Sequence, residues 1–286
     1  MNPKEPNLEG NFFQKKTLSE KNIPGRGKER IQSIHLLNLL EDGNLENLKN
    51  FLEKENPSPQ ILNEGVISLI KSYKSGDQKL YELLNILFVH GASPNVSVVF
   101  DREKESQIEK YDNISILHFA IKYNDLNLVK LILKFNPDVN KKDKEMRTPI
   151  IYAVIYNNND STDILNLLIQ HKANIDYSLF LTISQDQQYH FHSVLTLAIL
   201  KDLKNVTKCL LDNNVDIKFN TVPRLDTPLH IAAYSARAEL LELLLNHPEM
   251  DSFIEYENID RKKPYELIKD DEEKEKKINI FKNIIN

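Results

Sequence analysis

Cysteine, glycine and long apolar runs are all scarce in this sequence, and each shortage closes off a class of function. Cys209 is the one cysteine in 286 residues, so no intrachain disulfide can form and no CxxC or Cys/His metal pattern is available. A reducing compartment is the expected home. Seven glycines leave little room for phosphate-cradling loops and predict turns made by Asn and Asp instead. No stretch of about 18 apolar residues occurs, and the first 30 residues, with Lys15, Lys16, Lys21, Arg26, Lys28 and Arg30, contain no signal-peptide core. A cytoplasmic chain with no membrane insertion is expected. A basic excess is missing too. The formal net charge of −5 argues against a nucleic-acid partner, because neutralising phosphates requires a basic face. There is no HExxH, GxSxG, P-loop or dinucleotide fingerprint. Gly25-Arg-Gly27 is a lone GxG with no strand before it. No catalytic, cofactor-binding or metal-binding residue is predicted, and no obligate small molecule.

What is present is a repeat. With 41% apolar and 28% charged residues the chain can bury a core, and the apolar residues recur in register. Ser115-Ile-Leu-His-Phe-Ala120, Thr148-Pro-Ile-Ile-Tyr-Ala153, Ser193-Val-Leu-Thr-Leu-Ala198 and Thr227-Pro-Leu-His-Ile-Ala232 follow one another at steps of 33, 45 and 34 residues. Each is followed by a second apolar run, beginning at Leu128, Ile164, Val206 and Leu240. Two amphipathic helices per unit are therefore predicted. A stop-and-turn element closes each pair, as in His90-Gly-Ala-Ser-Pro-Asn95 and His171-Lys-Ala-Asn-Ile-Asp176. Thr148 and Thr227 are expected to cap the first helix through their hydroxyls, with Ser115 and Ser193 in the same role. Pro149 and Pro228 then sit at the first helical position, where a missing N–H costs nothing.

These residues resemble the ankyrin repeat, whose pattern joins a T-P-L-H-x-A helix start to a later L-L-x-x-G-A-D-V-N close. Thr227-Pro-Leu-His-Ile-Ala-Ala233 matches it nearly completely. The resemblance implies an all-α, ankyrin-repeat solenoid of stacked helix-turn-helix units with β-hairpin fingers. Residues 1–30 are expected to form a flexible tail and 31–286 the repeat domain. Its units are placed near 31–60, 61–95, 110–142, 143–177, 188–220, 222–254 and 258–286, the last a polar cap such as solenoids need for solubility. The sequence departs from the pattern where Asn124, Asn157, Asp202 and Ala236 replace the glycine usual between the two helices. Asn and Asp accept a left-handed backbone, whereas Ala236 does so poorly.

Two connections exceed the period: Asn95 to Asn140 spans 45 residues and Asp176 to Lys218 spans 42. The surplus falls at 96–112, rich in charge, and at 177–192, rich in aromatic and amide side chains. Both are expected as enlarged fingers. They serve either as a jaw for a partner or as insertions without a role, since surface loops lengthen at little entropic cost. A smaller insertion at 157–162 reads as a solvent loop.

The resemblance also implies where a partner would sit: on the exposed edge of each first helix and on the finger tips. That edge maps to Lys122, Tyr123, Ile155, Tyr156, Lys201, Tyr234 and Ser235. The tyrosines suit an interface, or else pack between units. Finger candidates are Tyr111, Asp112, Lys144, Glu145, Arg147, Arg224 and Asp226, joined in the second enlarged finger by Tyr177, Tyr189, His190, Phe191 and His192. His190 and His192 would share one face of a strand, but no third metal ligand is evident nearby. His118 and His230, in the T-P-L-H slot, are read as structural, and Cys209 as a buried inert thiol. The function implied is a non-enzymatic scaffold or adaptor for a partner protein. Two alternatives are a host-directed viral or bacterial ankyrin effector recruiting ubiquitin machinery, and a structural subunit of a cytoskeletal or ciliary assembly.

Overall fold

The computed structural model describes residues 26–99, 113–182, 189–218, 221 and 223–285. Helices pair in chain order: α1 (Arg26–Asp42) with α2 (Leu45–Glu55), α3 (Pro59–Lys71) with α4 (Gln78–Val89), and α5 (Ile116–Lys122) with α6 (Leu126–Leu133). The pairs α7 (Pro149–Ile155) and α8 (Asp163–Gln170), α9 (Val194–Leu200) and α10 (Lys204–Asp212), and α11 (Pro228–Ser235) and α12 (Ala238–Leu245) follow. After α12 come 3₁₀ turns at Pro248–Phe253 and Pro264–Leu267 and a last helix, α13 (Lys274–Ile285). First helices stack on first helices (α5 on α7, α7 on α9, α9 on α11) and second on second (α4 on α6, α6 on α8, α10 on α12). One apolar cluster consequently runs from Leu36 to Phe281. Full burial of a Leu or Ile side chain contributes about 1.5–3 kcal/mol, so Leu84, Leu117, Ile150, Leu195 and Leu229, all buried, hold neighbours together unit by unit. Where α1 meets α3, a Cβ at Gly65 would lie 3.1 Å from both Leu36 and Leu40. A larger residue there would require those leucine ends to give way by a few tenths of an ångström. α1 begins at Arg26, inside the segment expected as tail, and Gln32 anchors it through a 3.2 Å bond from its Nε2 to the Glu55 carbonyl.

The cap chemistry explains why the first helices start where they do. The hydroxyls of Ser115, Ser193 and Thr227 accept from the N–H of His118, Thr196 and His230. In each case the side chain three residues on reaches back: His118 Nδ1 at 2.7 Å, Thr196 Oγ1 to the Ser193 N–H at 2.8 Å, His230 Nδ1 at 2.7 Å. Thr148 does not cap, contrary to expectation. Ile151 holds the third helical position there and offers nothing in return, and the buried Thr148 Oγ1 has no hydrogen-bond partner.

The glycine substitutions also resolve. Asn124 (φ 51°) and Asp202 (φ 56°) take the left-handed turn, whereas Asn157 does not; the insertion moves that conformation to Asp160 (φ 54°). Ala236 avoids it with an extended backbone (φ −92°, ψ 160°). The carboxylates serve as well as fit. Asp160 accepts from the N–H groups of Asn205 (2.7 Å) and Val206 (3.0 Å) at the start of α10. Asp202 accepts from the Arg237 N–H (2.9 Å) at the start of α12. Each thus caps the second helix of the next unit, whose own N-cap residue, Leu203 or Arg237, makes no side-chain cap.

The two enlarged connections rise from antiparallel hairpins. β1 (Ser97–Val99) pairs with β2 (Asn113–Ser115), and β3 (Ser178–Thr182) with β4 (Tyr189–Ser193). Ser115 and Ser193 each end a strand and cap the helix that follows. At the far end, the expected first helix of the last unit is a single 3₁₀ turn at Pro264–Leu267. The unit expected as a polar cap is partly interior: Lys277 is buried, its Nζ 3.3 Å from Asp271 Oδ2 and 3.5 Å from the Ala233 carbonyl. Phe281 is buried beside it, while Ile284 and Ile285 are exposed.

Candidate partner-binding edge

Three short fingers share one construction. In each, the first residue donates its N–H to the carbonyl of the last at 3.0 Å: Asp143 to Arg147, Thr221 to Asp226, and Asn258 to Lys262. The residue before the last is left-handed in all three: Met146 (φ 63°), Leu225 (φ 58°) and Arg261 (φ 56°). Two of the fingers are held by a histidine of the preceding unit. His118 Nε2 lies 3.1 Å from the Arg147 carbonyl, and His230 Nε2 lies 2.8 Å from the Lys262 carbonyl. A carbonyl only accepts, so each ring carries its proton on Nε2, and Nδ1 accepts from the Ser115 or Thr227 hydroxyl. Burial holds both rings neutral, pushing His118 down to about 4 and His230 below its usual value. The second finger, 221–226, lacks this tie because Thr196 occupies the histidine slot of the unit before it.

Within the 143–147 finger, Asp143 accepts from the N–H of Glu145 and Arg147, from Arg147 Nε at 2.7 Å and from the Tyr152 hydroxyl at 2.9 Å. Arg147 also pairs with Glu145 (2.6 Å) and lies over the Tyr152 ring (5.0 Å), so it is half-withdrawn, while Lys144 and Glu145 are exposed. In the 221–226 finger Arg224 is exposed and pairs with Asp226 (3.2 Å) and Asp260 (3.6 Å). Asp226 is 1% exposed and accepts from Asn258 Nδ2 at 2.7 Å. The expectation that Asp226 meets a partner is corrected: it joins two fingers.

Along the first-helix edge the tyrosines are unequal. Tyr123 is 46% exposed, with one side against Phe119 and Tyr73. Tyr156 packs at a tilt against Tyr152 (5.2 Å) and lies beneath Lys122 Nζ (5.6 Å). Tyr234 is withdrawn, and burial pushes its phenol up to about 12. Ser235 bonds its hydroxyl back to the Ile231 carbonyl at 2.6 Å, and Ile155 packs against the core. Lys201 donates to the Ile155 carbonyl and to the Asn157 carbonyl (3.2 Å), a cation on the C-terminal end of α7, where burial lowers its pKa.

Of the second enlarged finger, Tyr177 donates to the Met146 carbonyl (2.5 Å) beneath Lys142 (5.0 Å) and so links β3 to a neighbouring tip. His192 is buried, its Nδ1 3.5 Å from Thr196 Oγ1, which corrects its assignment to the partner surface. Tyr189, His190 and Phe191 are placed by backbone pairing with Thr182, Leu181 and Phe180; their side chains lie outside the described part, as do residues Tyr111 and Asp112. Cys209 is half-buried rather than in the core, its Sγ 3.1 Å from Asn166 Oδ1, with its thiol pushed up by burial. It lines an open polar groove of about 560 Å³ with Asp160, Asp163, Asn205 and Asp212.

Sequence reasoning missed one polar junction. The hydroxyls of Tyr73 and Tyr81 both donate to Asp125 Oδ2 (2.7 and 2.6 Å), while its Oδ1 caps α6 at the Leu128 N–H (2.9 Å). Burial raises both phenols, Tyr81 to about 12. The only sequence signal was Asp125 at a helix start; its two partners lie in the preceding unit.

Family models described as "Ankyrin repeats (3 copies)" and "Ankyrin repeat" match residues 74–180 and 224–252. An ankyrin repeat protein of Fowlpox virus is 29% identical over 131 residues, covering 41% of this chain and 34% of that one. A Dictyostelium discoideum protein named NAD-dependent deacetylase sir2B is 24% identical over 220 residues, 69% of this chain and 27% of that one. The chain spans about a third or less of the length of these two relatives. Among solved structures, the ankyrin repeat domain of Bcl-3, a member of the IkappaB protein family, superposes with a TM-score of 0.57 at 16% identity, over 88% of this chain and 97% of that one. Among the described residues no helix is long and apolar enough to cross a membrane. Residues 74–180 and 224–252 are thus ankyrin repeats set in an ankyrin-repeat fold, and such repeats form protein–protein interaction modules.

Proposed function

We propose that this chain is a non-enzymatic scaffold that holds one partner protein along its first-helix edge and fingers. The observation that carries the reading is the contrast at that edge. Tyr123 stays 46% exposed although Tyr73 and Phe119 support it, while Tyr156 at the equivalent place, and Tyr234 one place earlier in its own unit, are withdrawn. A rigid aromatic with a polar tip on a fixed helix end is what an interface anchor requires. Lys122, Lys144, Glu145, Tyr177, Arg224 and Ser235 flank it as the remaining contacts, and the buried Asp226 and His192 are excluded. Affinity purification of the tagged chain from its native cell, followed by mass spectrometry, identifies the partner. Tyr123→Ala combined with Lys122→Ala is expected to abolish that capture with helical circular dichroism unchanged. Capture at the wild-type level would reject the surface. The similarity to the Fowlpox virus protein favours a second reading, a virus-encoded adaptor directed at a host protein; capture of a partner encoded by a host genome supports it.

A further inference from the structure

Left-handed backbone suits Asn, Asp and Gly and is uncommon for other residues. Among the described residues, six of the ten non-glycine left-handed positions are Asn or Asp. The four exceptions are Lys172, in the turn after α8, and Met146, Leu225 and Arg261, which occupy one equivalent place in three fingers. Those tips are not interior. Met146 is 52% exposed, Leu225 40%, and Ile259, two residues before Arg261, 60%. The second and third tips touch, the Ile259 N–H donating to the Arg224 carbonyl at 3.0 Å. An apolar side chain left about half uncovered on an unfavourable backbone gains little from its own fold, and strain that persists is a pointer to function.

The charge around the tips selects the occupant. The chain as a whole carries −5, yet residues 141–147 hold four basic and two acidic side chains; at 221–226 Arg224 is matched by Asp226, and at 258–263 three basic residues stand beside Asp260, with Lys263 paired to Glu255. We infer that the finger tips bind an acidic segment of a partner protein that carries apolar side chains, its carboxylates facing the basic flanks and its apolar groups covering Met146, Leu225 and Ile259. This rests on the scaffold reading and adds the partner's chemistry to it.

Fluorescence anisotropy of the full chain with a labelled peptide of alternating Glu and Leu tests the inference. Binding is expected about tenfold tighter, equivalent to about 1.4 kcal/mol, than to the Lys/Leu or the Glu/Ser peptide, and weaker at high salt. The variant Met146→Gly/Leu225→Gly suits the backbone and removes the apolar tips. It is expected to lose about tenfold in affinity, the same 1.4 kcal/mol, with its melting temperature unchanged or raised. Equal binding of the Glu/Leu and Lys/Leu peptides, wild-type binding by the double-glycine variant, or binding of a single-stranded oligonucleotide in place of the peptide would each overturn it. If the double-glycine variant still captures a partner that Tyr123→Ala/Lys122→Ala loses, the tip inference fails and the scaffold reading stands. Capture by both variants sinks the scaffold surface itself.

Discussion

Acid should weaken this protein before its carboxylates are protonated, and His118 is the reason. Its ring is buried, with Nε2–H given to the Arg147 carbonyl and Nδ1 filled by the Ser115 hydroxyl. Charging it would require a second proton in a site closed to water, and burial accordingly lowers its pKa from 6.5 to about 4. In the unfolded chain the same ring titrates at its ordinary value. Between these two values the unfolded state binds the proton and the folded state does not. Stability is therefore complete above pH 6.5 and is lost progressively as the pH falls toward 4. One pKa unit corresponds to about 1.4 kcal/mol, which puts the His118 contribution to this loss at about 3 kcal/mol. That is a large fraction of the roughly 5–15 kcal/mol of a typical domain. His230 shifts in the same direction for the same cause and adds to it. Urea unfolding followed by circular dichroism, at steps from about pH 7 to about pH 4.5 and constant ionic strength, measures the slope. The His118→Gln variant keeps a donor toward Arg147 but cannot titrate. It is expected to start less stable and to lose about 2.5 kcal/mol less across that range. Other groups contribute equally to both curves, so parallel curves for the two proteins would refute the reasoning.

Asp202→Gly keeps a backbone that accepts φ 56° but removes the cap on α12; it should cost about 1 kcal/mol in urea unfolding, and no loss would mean the inter-unit cap is idle. Thr148→Val deletes the hydroxyl that finds no partner and is expected to be neutral or to stabilise by about 1 kcal/mol, whereas Thr227→Val should destabilise by a similar amount; equal effects would contradict the cap assignment. Tyr73→Phe and Tyr81→Phe should each cost about 1 kcal/mol, with a double-mutant cycle that is not additive because both hydroxyls share Asp125 Oδ2.

The helical pairs, their capping residues and the places where the period is broken were all legible in the chain alone. A 3.6-residue apolar pattern and a Ser or Thr before it are local facts, and each unit repeats them. The hydroxyl of Thr148 shows the limit: its failure to cap depends on Ile151 lacking the reciprocal group that His118, Thr196 and His230 provide. Which tyrosines remain exposed was also out of reach. Lys122 and Lys201 reach into the neighbouring unit, one over Tyr156 and the other onto the end of α7, and no spacing rule states where a long flexible arm comes to rest. Asp226 and His192 read as surface residues until neighbouring elements buried them. Periodicity is a property of one unit, so the sequence by itself determined the units and their order. Exposure, pairing and the left-handed tips depend on how consecutive units meet, and only the tertiary structure decided those.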